Sequence, residues 1–511
     1  MGHLSPRLLR RLLLLFSATI TIVSPQPASA ECRIARRGLS RDLVLLGTVL
    51  TDEGAQAGSA VLVRSGEIAY VGDASGLGPE RDGGDASVVD CAGSVISPGF
   101  INTHEHIDFA TVRPLPDIGE RVRHRHDWRV GARNRTMREV AVNGSDVAAR
   151  AWGELRHLFS GTTAIVGGAM APGLARNLDF VEGLEDGLAG APAAAYDTFP
   201  LRDRHGIMRH GDCDYGPDPI DRAAAAAYHR YIGHVGEGVD PEAANEFACL
   251  SDAAFDVTPA LAGGGLSSDI IGPNVALVHA LGLTARDFAV VAARGAKVVW
   301  SPRSNMHLYG ETLNASALLA AGITVALGTD WLPSGSATMA REAACAASVS
   351  RGGHGVELAP KLLWEMATRN AAEVAGFEDR LGSLHAGKLA DIVVFAEASR
   401  DRDGVHGAID PFAQAIFAPQ DRIELVLRGG KILLASSALE DLTSGTCEPV
   451  AFGKSDKVAC VADELGSSFE AFEASLRGVY PAVLPDIPPD EPTCNPLDYA
   501  GSFDQGNVIN I

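Results

Sequence analysis

At 511 residues, with 46% hydrophobic and 21% charged residues, the chain can bury a large core and is too long for one small domain. Its formal charge of −21 argues against nucleic acid and anionic membrane as partners. A small-molecule substrate fits that surface better. A monomer and a homo-oligomer both remain open.

Residues 1–30 read as a secretory signal. Arg7, Arg10 and Arg11 form a basic start, Leu12 to Val23 an apolar middle, and Ala28-Ser29-Ala30 a small-x-small cleavage site. The apolar run is short for a membrane span of about 20 residues, and Pro25 and Pro27 follow it, so no stable anchor is expected after cleavage. The expected address is periplasmic or secreted, by the general or, through Arg10-Arg11, the twin-arginine route. Eight cysteines lie beyond the signal, an even count that suggests disulfides in an exported chain. Their pairing cannot be read from spacing. A bridge would help most among Cys447, Cys460 and Cys494, in a Pro-rich tail with little core of its own. Cys345, in an Ala-rich helix, reads as a small core residue. No Cys-x-x-Cys pair exists, which argues against a cysteine zinc site.

Residues 40–97 look all-β: runs at 42–50 and 59–63, a tight turn at 64–67, and a return at 68–71. The runs 387–395 and 423–434 repeat that style near the other end. One accessory sheet built from both ends is the simplest account. Between them short apolar strands alternate with helical patterns, the signature of parallel βα units. Strands are expected at 100–103, 162–166, 193–199, 230–235, 274–279, 296–300 and 324–327, with a weakly marked one at 177–180. Helices are expected at 145–160, 241–250, 284–293, 315–321, 337–349 and 360–375. The expectation is an α/β protein with a (β/α)8 TIM-type barrel over 98–379 and a small β-domain over 40–97 plus 380–436. An open doubly wound sheet is the alternative. A Cys- and Pro-containing extension, 437–511, would wrap the surface.

The chemistry gathers at the strand ends, where barrel active sites lie. In Phe100-Ile-Asn-Thr-His-Glu-His106 the two histidines are two apart on a strand, so both imidazoles face one side and Glu105 the other. His234 ends Tyr231-Ile-Gly-His and completes a three-histidine set. Asp330 follows an apolar strand directly, where a buried carboxylate is costly unless a cation compensates. Expected ligands are therefore His104, His106, His234 and Asp330, around a borderline ion such as zinc or iron(II). Glu237, three residues past His234, can donate and accept a proton at a substrate nitrogen. His279, closing Val275-Ala-Leu-Val-His, can hydrogen-bond the attacking water or the reacting oxygen. No lysine precedes Lys297, so a carbamylated lysine bridging two metals has no candidate; one ion is expected. His126, Arg129, Arg303, Asn305 and Trp331 are candidate substrate contacts. The basic run 121–129 could grip an anionic or polar substrate, or be an ion-paired surface loop.

These motifs resemble the amidohydrolase superfamily, most closely its single-metal branch of nucleobase, adenosylhomocysteine and triazine hydrolases. Pro98 to His106, His234-Val-Gly-Glu237, Val278-His279, Ser301-Pro-Arg-Ser-Asn305, Gly328-Thr-Asp330 and Leu381 to Val394 carry the resemblance, across about residues 40–436. It implies a barrel with a β-sandwich and hydrolysis of a C–N bond, not a peptide bond, in a small cyclic molecule. Catalytic roles fall to Glu237, His279 and Asp330, through hydroxide made at the metal. An exported amidase or dipeptidase, and a non-catalytic barrel that only binds, are the rival readings.

Overall fold

The computed structural model describes residues 32–78, 84–140, 146–257, 266–397, 410–443 and 445–495. The expected signal and residues 496–511 of the extension lie outside these.

Strands from both ends of the chain make one ten-stranded sheet. Its centre is the antiparallel pairing of Ile392–Phe395 with the end of Ser87–Pro98, in the register Ile392 to Pro98. Leu43–Thr51, Gly54–Arg64 and Glu67–Asp73 extend it one way; Ile423–Arg428 and Lys431–Ser436 extend it the other. The extension does more than wrap the surface. Glu448–Phe452 and Ser455–Ala459 form a hairpin that continues the sheet beyond Lys431–Ser436. Val458 and Phe452 are buried there, and Phe452 meets Phe159 edge to face at 5.3 Å.

Pro98 ends the long strand and Gly99 turns the chain into Phe100–Asn102. A Cβ at Gly99 would lie 2.2 Å from the Thr163 hydroxyl, so a side chain at 99 would collide with Thr163. Phe100–Asn102, Thr162–Ile165 and Arg176–Asn177 form a parallel three-stranded sheet. Ala195–Asp197, Tyr231–Val235, Val275–His279, Lys297–Trp300 and Val325–Leu327 form a parallel five-stranded one. Backbone bonds link the two at both margins. Asp330 N donates to His104 O at 2.8 Å, and Ala194 N donates to Leu178 O at 2.9 Å.

The strands read as near-continuous apolar runs because both faces are covered. Ile101, Ala164, Ile232, Ala276, Val278, Val299 and Ala326 share one small-residue cluster. Their neighbours Val275, Leu277, Val298, Trp300, Val325 and Leu327 pack into the larger cluster against the helices. Helices Val147–Leu158, Pro241–Ser251, Ala285–Ala293, Ala315–Ala320 and Met339–His354 fall where the periodicity places them. The expected 360–375 helix is two, Pro360–Ala367 and Arg369–Ala375, broken where the Thr368 hydroxyl donates back to Trp364 O at 2.7 Å. The weak strand expected at 177–180 is only Arg176–Asn177, followed by a 3-10 turn at Val181–Gly183.

The cysteines pair as Cys32–Cys91, Cys213–Cys249, Cys345–Cys494 and Cys447–Cys460. The reading of Cys345 as an unpaired core residue is thereby corrected. It is buried, yet its helix faces the end of the extension, and burial alone does not separate a thiol from a disulfide sulfur.

Candidate metal centre and active site

Six side chains converge where the parallel strands end. His104, His106 and His234 offer ring nitrogens within 4.8 Å of one another; the ring nitrogens of His104 and His279 with a carboxylate oxygen of Asp330, and those of His234 and His279 with one of Glu237, do the same. His104 Nε2 lies 3.3 Å from His106 Nε2 and 3.2 Å from Asp330 Oδ1, and His106 Nε2 lies 3.5 Å from the same oxygen. The four expected ligands thus point at one centre, with His279 and Glu237 beside it.

Bonds on the outer side fix each ring. His104 Nδ1 meets Ser301 Oγ at 2.8 Å, which turns Nε2 inward. His279 Nδ1 meets Asn305 Oδ1 at 3.0 Å, and the Asn305 amide donates to Thr312, so His279 Nδ1 carries the proton. Tyr309 OH donates to Glu237 Oε1 at 2.7 Å. Ser301, Asn305 and Tyr309 all belong to, or cap, helix Pro302–Tyr309, which the sequence pattern missed. Its Pro302 reads as a break but is pre-set for a first helical position. Glu105 turns away as expected and accepts from Asn102 at 3.2 Å, from His157 at 3.1 Å and from Thr329.

His234 tests whether a cation fits. It is 2% exposed, and neither ring nitrogen has a hydrogen-bond partner. An orphaned buried imidazole is expensive unless something else takes its lone pair. A divalent ion among the three imidazoles and Asp330 would do so, and the N/O donor set suits zinc or iron(II).

The electrostatics are consistent with that fit. Burial, with His104 and His279 nearby, holds His234 well below the ordinary imidazole range. Burial likewise pushes His106 down to about 4. Both rings are therefore neutral at pH 7, the form that can ligate a cation. Burial raises the Asp330 carboxyl, but the His104, His279 and His106 rings outweigh it and leave it below the carboxylate range. Glu237 follows the same balance: burial raises it, while His279 and Arg125 bring it lower. Strain sits here too. His279, Ala280 and Asp330 have φ of 66°, 53° and 59°, left-handed values that non-glycine residues adopt only where the surroundings enforce them.

Two predictions arise from this geometry. His106 at about 4 and His307 at about 3 sit below the unfolded value near 6.5, so the unfolded chain binds protons first as pH falls. Stability should be level above about pH 6.5 and drop between there and about pH 3, measurable as melting temperatures of the chelator-treated protein. Gly328 packs flat on His104, and a Cβ there would lie 2.4 Å from the His104 Cβ. Gly328→Ala should cost about 1–3 kcal/mol and weaken metal retention by displacing His104, seen by melting and metal analysis.

A cavity of about 660 Å³ opens over the centre. Trp331 forms its wall, 4.8 Å from Trp128 and 5.1 Å from Phe109 between ring centroids. Arg125, Arg129 and Arg138 line it also. The run 121–129 is neither a surface loop nor a free basic patch: Arg125 is 1% exposed, paired with Asp203 at 2.5 Å and Glu246 at 3.2 Å. Asp203, in Leu201-Arg-Asp-Arg-His205, is its counter-ion.

Of the candidate substrate contacts, Trp331 and Arg129 line the cavity. His126 is buried behind them, bonded to Asp203 at 2.8 Å and to Arg129 at 3.0 Å. Asn305 serves His279 and does not line the cavity. Arg303 is no substrate contact: it is buried away from the cavity against Glu491 at 3.2 Å and Ser336 at 2.5 Å. Its side chain points to the extension because the extension's carboxylate is there, which strand-end position alone could not tell.

Parallel strands whose ends gather imidazoles and carboxylates around one cation-sized centre define a metal-binding α/β class. Comparison refines it. The Amidohydrolase family model matches residues 206–433. The chain is 26% identical over 431 residues to the 5-methylthioadenosine/S-adenosylhomocysteine deaminase of Moorella thermoacetica, covering 77% of this chain and 94% of that one. It is 25% identical over 439 residues to the 5'-deoxyadenosine deaminase of Methanothermobacter thermautotrophicus, covering 79% and 95%. An adenosine deaminase from Xanthomonas campestris with bound zinc shares the fold at a TM-score of 0.53 and 18% identity, over 85% of this chain and 98% of that one. An atrazine chlorohydrolase from Arthrobacter aurescens complexed with zinc does so at 0.54 and 20%, over 76% and 95%. These likenesses, the family-model match over residues 206–433 and the deaminase relatives along most of the chain, support the amidohydrolase superfamily.

Proposed function

We propose that the protein is an exported, metal-dependent hydrolase that cleaves a C–N bond, other than a peptide bond, in a small heterocycle, as a deaminase does. The observation that carries this is His234, buried and unpartnered among the other ligand-type side chains with Glu237 alongside. The deaminases named above are consistent with it. We further read the eight parallel segments as a TIM-type barrel over 98–379, the ten-stranded sheet as the small domain, and residues 1–30 as the leader of a periplasmic or secreted enzyme.

His104, His106, His234 and Asp330 would hold one divalent ion, zinc by donor type. When bound, such an ion supplies the Lewis acidity that makes water a nucleophile at neutral pH. Asp330 accepts a proton from the attacking water. His279 has Nδ1–H committed to Asn305, so its Nε2 lone pair faces Glu237 Oε2 at 3.8 Å and Asp330 Oδ2 at 3.9 Å. There it accepts a hydrogen bond from the attacking water and holds it in line. Glu237, held by Tyr309 and ionised at rest, takes one of the attacking water's two protons and passes it to the ring nitrogen beside the attacked carbon, while Asp330 keeps the other for the leaving amine. The amine leaves with the remaining proton. Trp331 stacks the ring, and Arg129, with no carboxylate at ion-pair distance among the described residues, suits a polar or anionic substituent.

The test is metal analysis of the purified mature chain with an ammonia-release screen over adenosine-type nucleosides, aminotriazines, lactams and dipeptides. One ion per chain with ammonia from a heterocycle supports the reading. Two ions with dipeptide cleavage would replace it with a peptidase, and no ion with a binding protein.

A further inference from the structure

We infer that the C-terminal extension is a working part of this site: Glu491, acting through Arg303, holds helix Pro302–Tyr309 where it can orient the metal-group side chains. The inference rests on the proposal that those side chains hold an ion.

The helix is the common support of the site. Ser301, at its N-cap, holds His104 at 2.8 Å. Asn305 holds His279 at 3.0 Å and Tyr309 holds Glu237 at 2.7 Å. Ser304 Oγ meets Ser334 Oγ at 2.8 Å, on the loop that follows Asp330. One short element therefore sets two imidazoles, the acid and the loop beside the carboxylate ligand. A small shift of it moves them together.

What fixes the helix is a buried charge. Arg303 is 3% exposed, and its guanidinium turns away from the cavity. It reaches Glu491 Oε2 at 3.2 Å, donates to Pro492 O, and donates to Arg341 O at 3.0 Å. Glu491 also takes Arg341 at 2.6 Å. Among the described residues a second acid facing this group is Glu342, which accepts the Arg303 backbone N–H at 3.0 Å and which burial pushes up to about 8, towards its neutral form. Glu491 is thus the carboxylate that balances Arg303, and it lies in the extension, beyond the residues the family model matches. Losing it would remove the carboxylate paired with a buried cation on the helix that supports the site.

The extension is itself tied down. Cys494, three residues on, is bonded to Cys345 on helix Met339–His354, the helix that also carries Arg341. Tyr480 and Leu484 pack on Leu332 and Ala337, again on the loop after Asp330. Trp152 Nε1 donates to Tyr480 O at 2.7 Å. The chain end is thereby stapled from Trp152 to Cys345, and Glu491 sits between the staples.

The experiment uses the full mature chain loaded with Co2+, and follows loss of its visible absorption on adding excess EDTA well below melting. Glu491→Gln should lose metal about ten- to a hundredfold faster than wild type, the range that supporting residues of metal ligands show. Glu491→Asp should recover part of this. The double variant Cys345→Ser/Cys494→Ser, which frees the chain end and leaves the ion pair's atoms in place, should move the same way by less. Cys32→Ser/Cys91→Ser, in the accessory sheet, is the control for general destabilisation and should keep the wild-type rate. Wild-type metal loss in Glu491→Gln would overturn the inference, as would an equal acceleration in the control. If Glu491→Gln does not fold, the Cys345/Cys494 pair decides by the same criterion. A wild-type chain that takes up no Co2+ would instead sink the proposed function, a separate result.

Discussion

Replacement of Asp330 by alanine is expected to lower kcat/KM by about 10³-fold or more and to drop the metal content well below one ion per chain. Asp330 does two things in the proposed chemistry: it closes the ligand set with Oδ1 near His104 and His106, and it receives the proton of the attacking water. Its carboxyl is held ionised by three neighbouring imidazoles, so it is ready for both at neutral pH. Asp330→Asn separates the roles, keeping the shape and the left-handed backbone at φ 59° while removing the charge. Metal analysis and circular dichroism beside the rate make the result decisive. A folded Asp330→Ala protein with wild-type turnover would remove Asp330 from the mechanism.

Glu237→Gln should lower kcat by about 10²–10⁴-fold while leaving metal content unchanged. Gln keeps the volume and still accepts from Tyr309 OH. What it loses is the capacity to carry a proton. The loss should shrink for a substrate whose ring needs no protonation before its leaving group departs, and remain full for an amine. Unchanged kcat on an amine substrate would assign the proton to another group, such as His279, 3.8 Å away.

The sequence exposed the ligands because their signal recurs along the chain. A pair of histidines two apart just past a strand is a weak signal alone; it stands out because further ligand-type residues follow at the ends of later strands, and the structure brings His104, His106, His234, His279, Glu237 and Asp330 together. The parallel strands were legible for the same reason: runs buried on both faces are short, apolar and regularly spaced. What stayed hidden depends on partners far away in the chain. Asp203 lies 78 residues from Arg125, which it neutralises, and Glu491 lies close to Arg303 only after folding. Arg303 therefore looked like a substrate contact, being at a strand end and basic. Ser301, Asn305 and Tyr309 were invisible as supports because their helix is short and opens with proline. Cys345 looked like packing because a half-cystine and a buried thiol leave the same local pattern.

The pairing of cysteines has a consequence for biogenesis. Cys447–Cys460 lies nested inside the loop that Cys345–Cys494 closes. A chain delivered N-terminus first presents Cys345 with Cys447 and Cys460 before Cys494 has emerged. Joining neighbours in order of appearance would therefore trap the extension in the wrong linkage. Reaching the native pairs then takes either a delay until Cys494 is present or thiol–disulfide exchange, and under reducing conditions Cys345–Cys494 does not fasten the last segment.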